Sequence, residues 1–178
     1  MKNIFETSAA ELEALHQRIH EAARRRAEGP EQRTAAEEAS RTFFARYDQL
    51  AFPGGLNSQF ELLKAGSAEA IEMAIRYLEA DPWYFRSGYH KADMLRLLRK
   101  HPLNEDQNSR LRRLILLRVR GRHVRETRDY CRFAPKVTNP DFEAEIRDIA
   151  AHSNRIASRH AQWVIDCLKS AGQTSKQR

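Results

Sequence analysis

The sequence predicts an all-α protein, and three observations carry that prediction. Only 7 of the 178 residues are Gly and 6 are Pro, so turn-forming residues are scarce. Charged residues make up 31% of the chain and hydrophobic ones 41%, with Ala, Leu, Arg and Glu abundant, which is the composition of helices with one wet face. No segment alternates apolar and polar residues at the period of a strand. A chain of this length forms one domain, with room for an appended helical arm. The expectation is seven to nine antiparallel helices joined by short connections. Residues 1–50 read as an N-terminal αα-hairpin, residues 56–171 as a main helical domain packed with it as one unit, and residues 172–178 as a disordered tail.

The helices follow in order. Ser8 and Glu11 make a capping box, after which Leu12, Leu15, Ile19, Ala22 and Ala23 recur at helical spacing up to Gly29-Pro30. Residues 31–50 carry Ala36, Ala39, Phe43, Tyr47 and Leu50 on one stripe, and Phe52-Pro53-Gly54-Gly55 breaks the pattern. A short helix is expected over residues 58–64, capped by Ser58 and Glu61, and another from Ser67 with Ile71, Ala74, Ile75 and Leu78 on its apolar face. Asp81-Pro82 predicts an N-cap and first turn for a helix running to Lys100. Asn104 and Gln107 cap the next helix, in which Leu111, Leu114, Ile115, Leu116, Leu117 and Val119 cover nearly every side and predict a central, buried element ending at Gly121. A helix over residues 124–134 is stopped by Pro135. Thr138-Asn139-Pro140-Asp141 opens the last helical region, to about Ala171, either one helix or two broken near His152-Ser153-Asn154.

Residues 70–99 carry the most distinctive pattern. Ala70-Ile71-Glu72-Met73-Ala74-Ile75-Arg76-Tyr77-Leu78 leads through Asp81-Pro82 into Trp83-Tyr84-Phe85-Arg86 and a second helix with Ala92, Leu95 and Leu98. This resembles a HEAT-type helical repeat, with Asp-Pro in the turn and an apolar-Arg pair, Phe85-Arg86, opening the second helix. The resemblance implies stacked helix pairs, a short HEAT-like α-solenoid as the alternative to a bundle, presenting a surface to a protein or nucleic-acid partner. Four of the chain's 15 aromatics, Trp83, Tyr84, Phe85 and Tyr89, fall within seven residues of one another. Phe85, Gly88, Tyr89 and Ala92 share a helix face and read as core, with Gly88 allowing close approach. Trp83, Tyr84 and Arg86 read as surface.

The formal net charge of +7 has an address. Residues 110–132 hold nine Arg against Glu126 and Asp129, and the other 155 residues sum to zero. Arg125, Arg128 and Arg132 stand at i, i+3 and i+7 on one ridge, flanked by Arg120 and Arg122 and continued by Arg86 and Lys91. Such a patch attracts phosphates or an acidic protein surface. The plain alternative is a solvated face in a chain that uses 24 Arg to 7 Lys.

Two cysteines, Cys131 and Cys167, lie too far apart for a metal knuckle and too few for a disulfide scaffold, and both read as small buried hydrophobes of a reducing compartment. No signal-peptide core and no membrane-length apolar run is present, so a cytoplasmic location and no membrane partner are expected. His16 and His20 at i, i+4 have the spacing to share a metal, but Gln17 stands where a zincin has Glu and no third ligand is evident, so no metal site and no cofactor are expected.

Four Arg–His pairs, Arg96/His101, Arg118/His123, Arg147/His152 and Arg155/His160, match the spacing of an Arg-x4–6-His motif, where roughly three would arise by chance in so Arg-rich a chain. Arg147-Asp148-Ile149-Ala150-Ala151-His152 alone has a polar residue after the Arg. It resembles the motif of HEPN ribonucleases, an all-α family in which the Arg and His direct attack by the RNA's own 2′-hydroxyl, usually across a dimer. That implies Arg147 and His152 as catalytic residues, against a solvent-facing pair. Phosphate loops, nucleophile elbows and dinucleotide fingerprints are absent from the sequence. The expected function is a non-catalytic interaction protein that binds an acidic protein partner through Arg120, Arg122, Arg125, Arg128 and Arg132. Nucleic-acid binding through the same face and metal-independent RNA cleavage are the alternatives, and homo-oligomerisation stays open.

Overall fold

The computed structural model describes residues 3–175. Among the described residues it is all-α, with nine helices and no strand. The chain divides into two units, and the division passes through the fourth helix.

The first unit holds α1 (Ile4–Arg25), a 3-10 turn (Arg26–Glu28), α2 (Pro30–Ala51), α3 (Leu56–Lys64) and the end of α4 (Ala68–Ala80) with the connection up to Ser87. Its core is aromatic. Phe5, Phe52 and Tyr77 meet with ring centroids 5.4–5.5 Å apart. Tyr84 donates its hydroxyl to the Ala51 carbonyl (3.1 Å), which leaves Tyr77 to donate to Tyr84 at 2.6 Å. Burial raises both phenols well above the ordinary tyrosine range, and for each the loss of water around the ring is the largest cause. The buried positions of α1 end at Leu15 and those of α2 begin at Phe43; beyond them the two helices pack on each other and on the 3-10 turn, with Ile19, Ala22, Ala36 and Ala39 half-buried.

The second unit holds residues 71–75 of α4, then α5 (Ser87–Leu98) from Gly88 on, α6 (Glu105–Arg120), α7 (Thr127–Val137), α8 (Pro140–His152) and α9 (Arg155–Ser175). Leu95, Leu98, Leu111, Ile115, Val119, Phe133, Ile146 and Val164 are fully buried in it. Asn104 and Gln107 form the expected capping box, and Asn139 caps α8 ahead of Pro140. Ser153 ends α8, and the Asn154 side chain accepts from the amides of Ile156 and Ala157, so the last region is two helices.

Several expectations are corrected. Helix α1 starts at Ile4, capped by Asn3 in a capping box with Glu6, because burial of Phe5 anchors a turn ahead of Ser8. Helix α3 starts at Leu56 after Gly55, with no cap from Ser58; the Asn57 amide instead donates to Asp48 (2.9 Å). Asp81 closes α4 in the left-handed conformation (φ 45°), which Asp tolerates, and α5 begins only at Ser87. Helix α6 buries one face only, and Leu117 is 66% exposed. Pro135 lies inside α7, which runs on to Val137, whose carbonyl takes a hydrogen bond from Arg112 (2.9 Å). The tail expected from Gly172 is helical through Ser175, and residues 176–178 lie outside the described residues.

Candidate binding site

The site is built where α5 and α7 carry charged groups into the second unit. The turn ahead of α7 is set by Thr127, whose hydroxyl accepts from the Val124 amide (3.0 Å). From there α7 buries Tyr130, Cys131, Phe133, Ala134 and Val137, and the 3.6-residue period leaves Arg128, Arg132 and Lys136 outside. The same period puts Glu126 and Asp129 on the inner side, where both are buried.

Each buried carboxylate has basic partners. Glu126 lies 3.8 Å from the Lys91 ammonium of α5, and both side chains are nearly inaccessible. Gly88 makes room for it: a Cβ there would come within 2.7 Å of the Glu126 Oε2 atom. Asp129 accepts a hydrogen bond from Arg96 of α5 (3.2 Å) and has Arg132 at 3.7 Å and Arg125 at 4.0 Å. Here the carboxylate is buried while the arginines are half exposed. Carboxylates taken out of water are stable only when so paired. Above this seam the Arg125 guanidinium lies 3.6 Å from the centre of the Tyr89 ring, and Arg128 lies 4.4 Å from that of Trp163. A cavity of about 230 Å³ opens among Leu95, Arg96, Arg99, Asp129, Arg132 and Phe133.

Of the residues expected at the surface, Arg120, Arg122, Arg125, Arg128 and Arg132 are exposed, as are Trp83 and Arg86 in the α4–α5 connection. Arg120 is tied to Glu145 (2.6 Å). Lys91 and Tyr84 are corrections. Lys91 is buried against Glu126, and Tyr84 is buried because its ring and hydroxyl complete the Tyr77–Ala51 chain. Phe85 and Tyr89, expected in the core, are 42% and 47% exposed. Phe85 stacks on His16 (centroids 4.5 Å apart), and Tyr89 serves as the platform for Arg125. Arg110 and Arg112 turn toward Glu72 and Glu105 and leave the basic surface.

The histidines separate. Arg147 pairs with Glu143 (2.6 Å) and His152 with Asp148 (2.8 Å), each with a carboxylate one turn back along α8. Five positions on a helix place Arg147 and His152 about 140° apart around its axis. Among the described residues no group of three or more His, Cys, Asp or Glu is placed to hold a metal, His16 and His20 included. His160 is fully buried, its Nδ1 donates to the Val119 carbonyl (3.2 Å), and burial lowers its pKa. Burial pushes the Cys131 thiol up to about 12, which makes it a poor nucleophile.

Sequence reasoning missed Arg96, Arg99 and the two buried carboxylates. The signal within α7 was present, since Asp129 stands one turn from both Arg125 and Arg132. The pairing of Lys91 with Glu126 spans 35 positions and leaves no local trace. No family model, curated protein or solved structure matches this chain. No helix among the described residues is long and apolar enough to cross a membrane.

Proposed function

We propose that this is a non-catalytic helical binding protein that takes an acidic protein partner on the face formed by α7 and the turn before it. The observation that supports this reading most is that exposed guanidiniums there are held in place before any partner arrives. Arg125 rests on Tyr89, Arg128 rests on Trp163, and Asp129 sits among Arg96, Arg125 and Arg132. Ordering a free arginine on binding costs about 0.5–1.5 kcal/mol, and side chains already fixed avoid part of that cost. Fixed guanidinium forks suit carboxylates, which they can grip with two hydrogen bonds.

Glu145 and Asp129 interrupt the basic strip. Discrete carboxylates can be placed between such groups, whereas the continuous phosphates of a nucleic acid would meet them as like charges, so an acidic protein is favoured over RNA or DNA. The ribonuclease reading has less support, because Arg147 and His152 are each engaged by a different carboxylate.

The test is binding of a labelled acidic peptide and of single-stranded RNA by the parent and by an Arg122→Gln/Arg128→Gln variant, from 50 to 200 mM salt (~7–14 Å screening length). Both arginines are exposed, so the substitutions spare the core. The expected result is peptide binding weakened at least about tenfold, or ~1.4 kcal/mol, in the variant. Equal peptide binding by the two proteins, or tighter binding to RNA than to peptide, would overturn the reading.

A further inference from the structure

The cavity between α5 and α7 has a composition that the binding face alone does not explain. Arg96 in the last turn of α5 and Arg99 in the turn just after it line the space, and Arg132 reaches it from α7. Its apolar walls, Leu95 and Phe133, are fully buried, and its acidic member, Asp129, is 6% exposed. At about 230 Å³ the space is an order of magnitude larger than the ~15 Å³ that one water molecule requires.

Hydrogen-bond donors there outnumber acceptors. Each guanidinium brings five N–H groups and no acceptor. Arg96 spends donors on Asp129 and Asp93. Arg132 stands 3.7 Å from Asp129, beyond a hydrogen bond, and Arg99 enters no ion pair with a described residue. Two guanidiniums therefore face the cavity with donors in surplus, beside a third that Asp129 holds in position. An anion fits such a site, and the apolar walls strengthen its attraction by keeping water from part of it.

We infer that this cavity binds a phosphoryl group, carried as a phosphorylated side chain of the acidic partner. The inference deepens the partner reading and names the group that anchors it. A tetrahedral phosphoryl group offers three oxygens and nearly two negative charges, enough to meet guanidiniums arriving from two helices, where a carboxylate offers two oxygens and one charge. Phosphate free in solution has the same chemistry and is the other source.

The test is calorimetric titration of the full chain at constant ionic strength with four probes: an acidic peptide bearing one phosphoserine, its unphosphorylated twin, inorganic phosphate and acetate. The phosphopeptide is expected to bind at least about tenfold more tightly than its twin, a gap of ~1.4 kcal/mol. Arg99→Gln and Arg132→Gln should each close most of that gap, and Arg113→Gln, on α6 outside the cavity, should leave it open. Circular dichroism of each variant separates lost binding from lost folding. Inorganic phosphate matching the phosphopeptide would support the phosphoryl pocket and overturn its peptide source. A twin or acetate that binds as well as the phosphorylated probes, or an equal loss in Arg113→Gln, would overturn the pocket. Because the partner reading is tested through Arg122 and Arg128 with an unphosphorylated peptide, either can fail while the other stands.

Discussion

Replacing Glu126 with Gln removes one charge and almost no volume, and the structure makes its cost calculable. The Lys91 ammonium lies 3.8 Å from the Glu126 carboxylate, with side-chain exposures of 3% and 6%. Water cannot take over the role of the lost carboxylate, as it would for an exposed pair worth ~0–1 kcal/mol. Breaking a buried pair from one side costs about 3–5 kcal/mol. A ceiling comes from the alternative of shedding the proton: an ordinary lysine titrates near 10.4, so neutralising one at pH 7 costs about 4.6 kcal/mol and at pH 9 about 1.9 kcal/mol. Glu126→Gln should therefore lower the melting temperature by about 6–20 °C at pH 7, at 2–4 °C per kcal/mol for a chain of this size. The loss should shrink as pH rises. Adding Lys91→Met removes the buried ammonium as well, and the double variant should return to within about 1–2 kcal/mol of the parent. Gly88→Ala tests the same contact from the other side, because its Cβ would come within 2.7 Å of Glu126 Oε2; about 1–3 kcal/mol of overpacking is expected, offset by up to ~1 kcal/mol that Ala gains over Gly within a helix. The assay is thermal and urea denaturation followed by helical circular dichroism. A Glu126→Gln protein within 1 kcal/mol (~2–4 °C) of the parent, or one that Lys91→Met fails to rescue, would refute the argument.

Two further substitutions probe each unit separately. His160→Asn keeps a donor for the Val119 carbonyl and removes the titration. Burial lowers the pKa of His160 in the folded chain, so below about pH 6.5 the unfolded chain takes up a proton that the native state refuses, and stability drops as the pH drops, by at most about 1.4 kcal/mol per unit. Denaturation curves from pH 7.5 to 5, bracketing the ordinary value near 6.5, should be flatter for the variant, and parallel curves would contradict the buried neutral histidine. Tyr84→Phe removes the acceptor of the Tyr77 hydroxyl and the donor to the Ala51 carbonyl, and should cost about 1–3 kcal/mol by urea denaturation. A loss under ~0.5 kcal/mol would show that water replaces both bonds.

Local signals were the legible part of the sequence. Helix periodicity gave the fold class, and the Asn104–Gln107 box and the Ser67 cap sat where their side chains could reach a backbone amide three residues on. The misplacements occur where packing outweighs a local motif. Ser8 and Glu11 form a sound capping box on paper, yet Phe5 packs against Phe52 and Tyr77 and carries the helix back to Asn3. Asp81-Pro82 can open a helix or close one, and the Asp81 amide bonded to the Tyr77 carbonyl closes α4. The site was legible only in its outer half: the arginine ridge follows from spacing on α7, while Arg96 and Lys91 reach it from α5 and Arg99 from the turn after it.

The same distinction changes what the basic segment means. Arg110 and Arg112 are largely covered and meet Glu72 and Glu105, and Arg120 meets Glu145, so three of the nine arginines of residues 110–132 face carboxylates from outside the segment. A sequence count adds these to the surface charge, but their fields are cancelled within a few ångströms. Of the six that remain, four make a narrower and better ordered face around α7: Arg122 in the open, Arg125 and Arg128 on aromatic faces, and Arg132 beside Asp129. A diffuse positive surface would attract any polyanion and lose it in salt. Arginines fixed around buried carboxylates discriminate by geometry, because an anion must fit between groups that are already held and already partly neutralised. On the proposed reading, the Asp129 carboxylate thus lowers the total charge of the face while raising its selectivity.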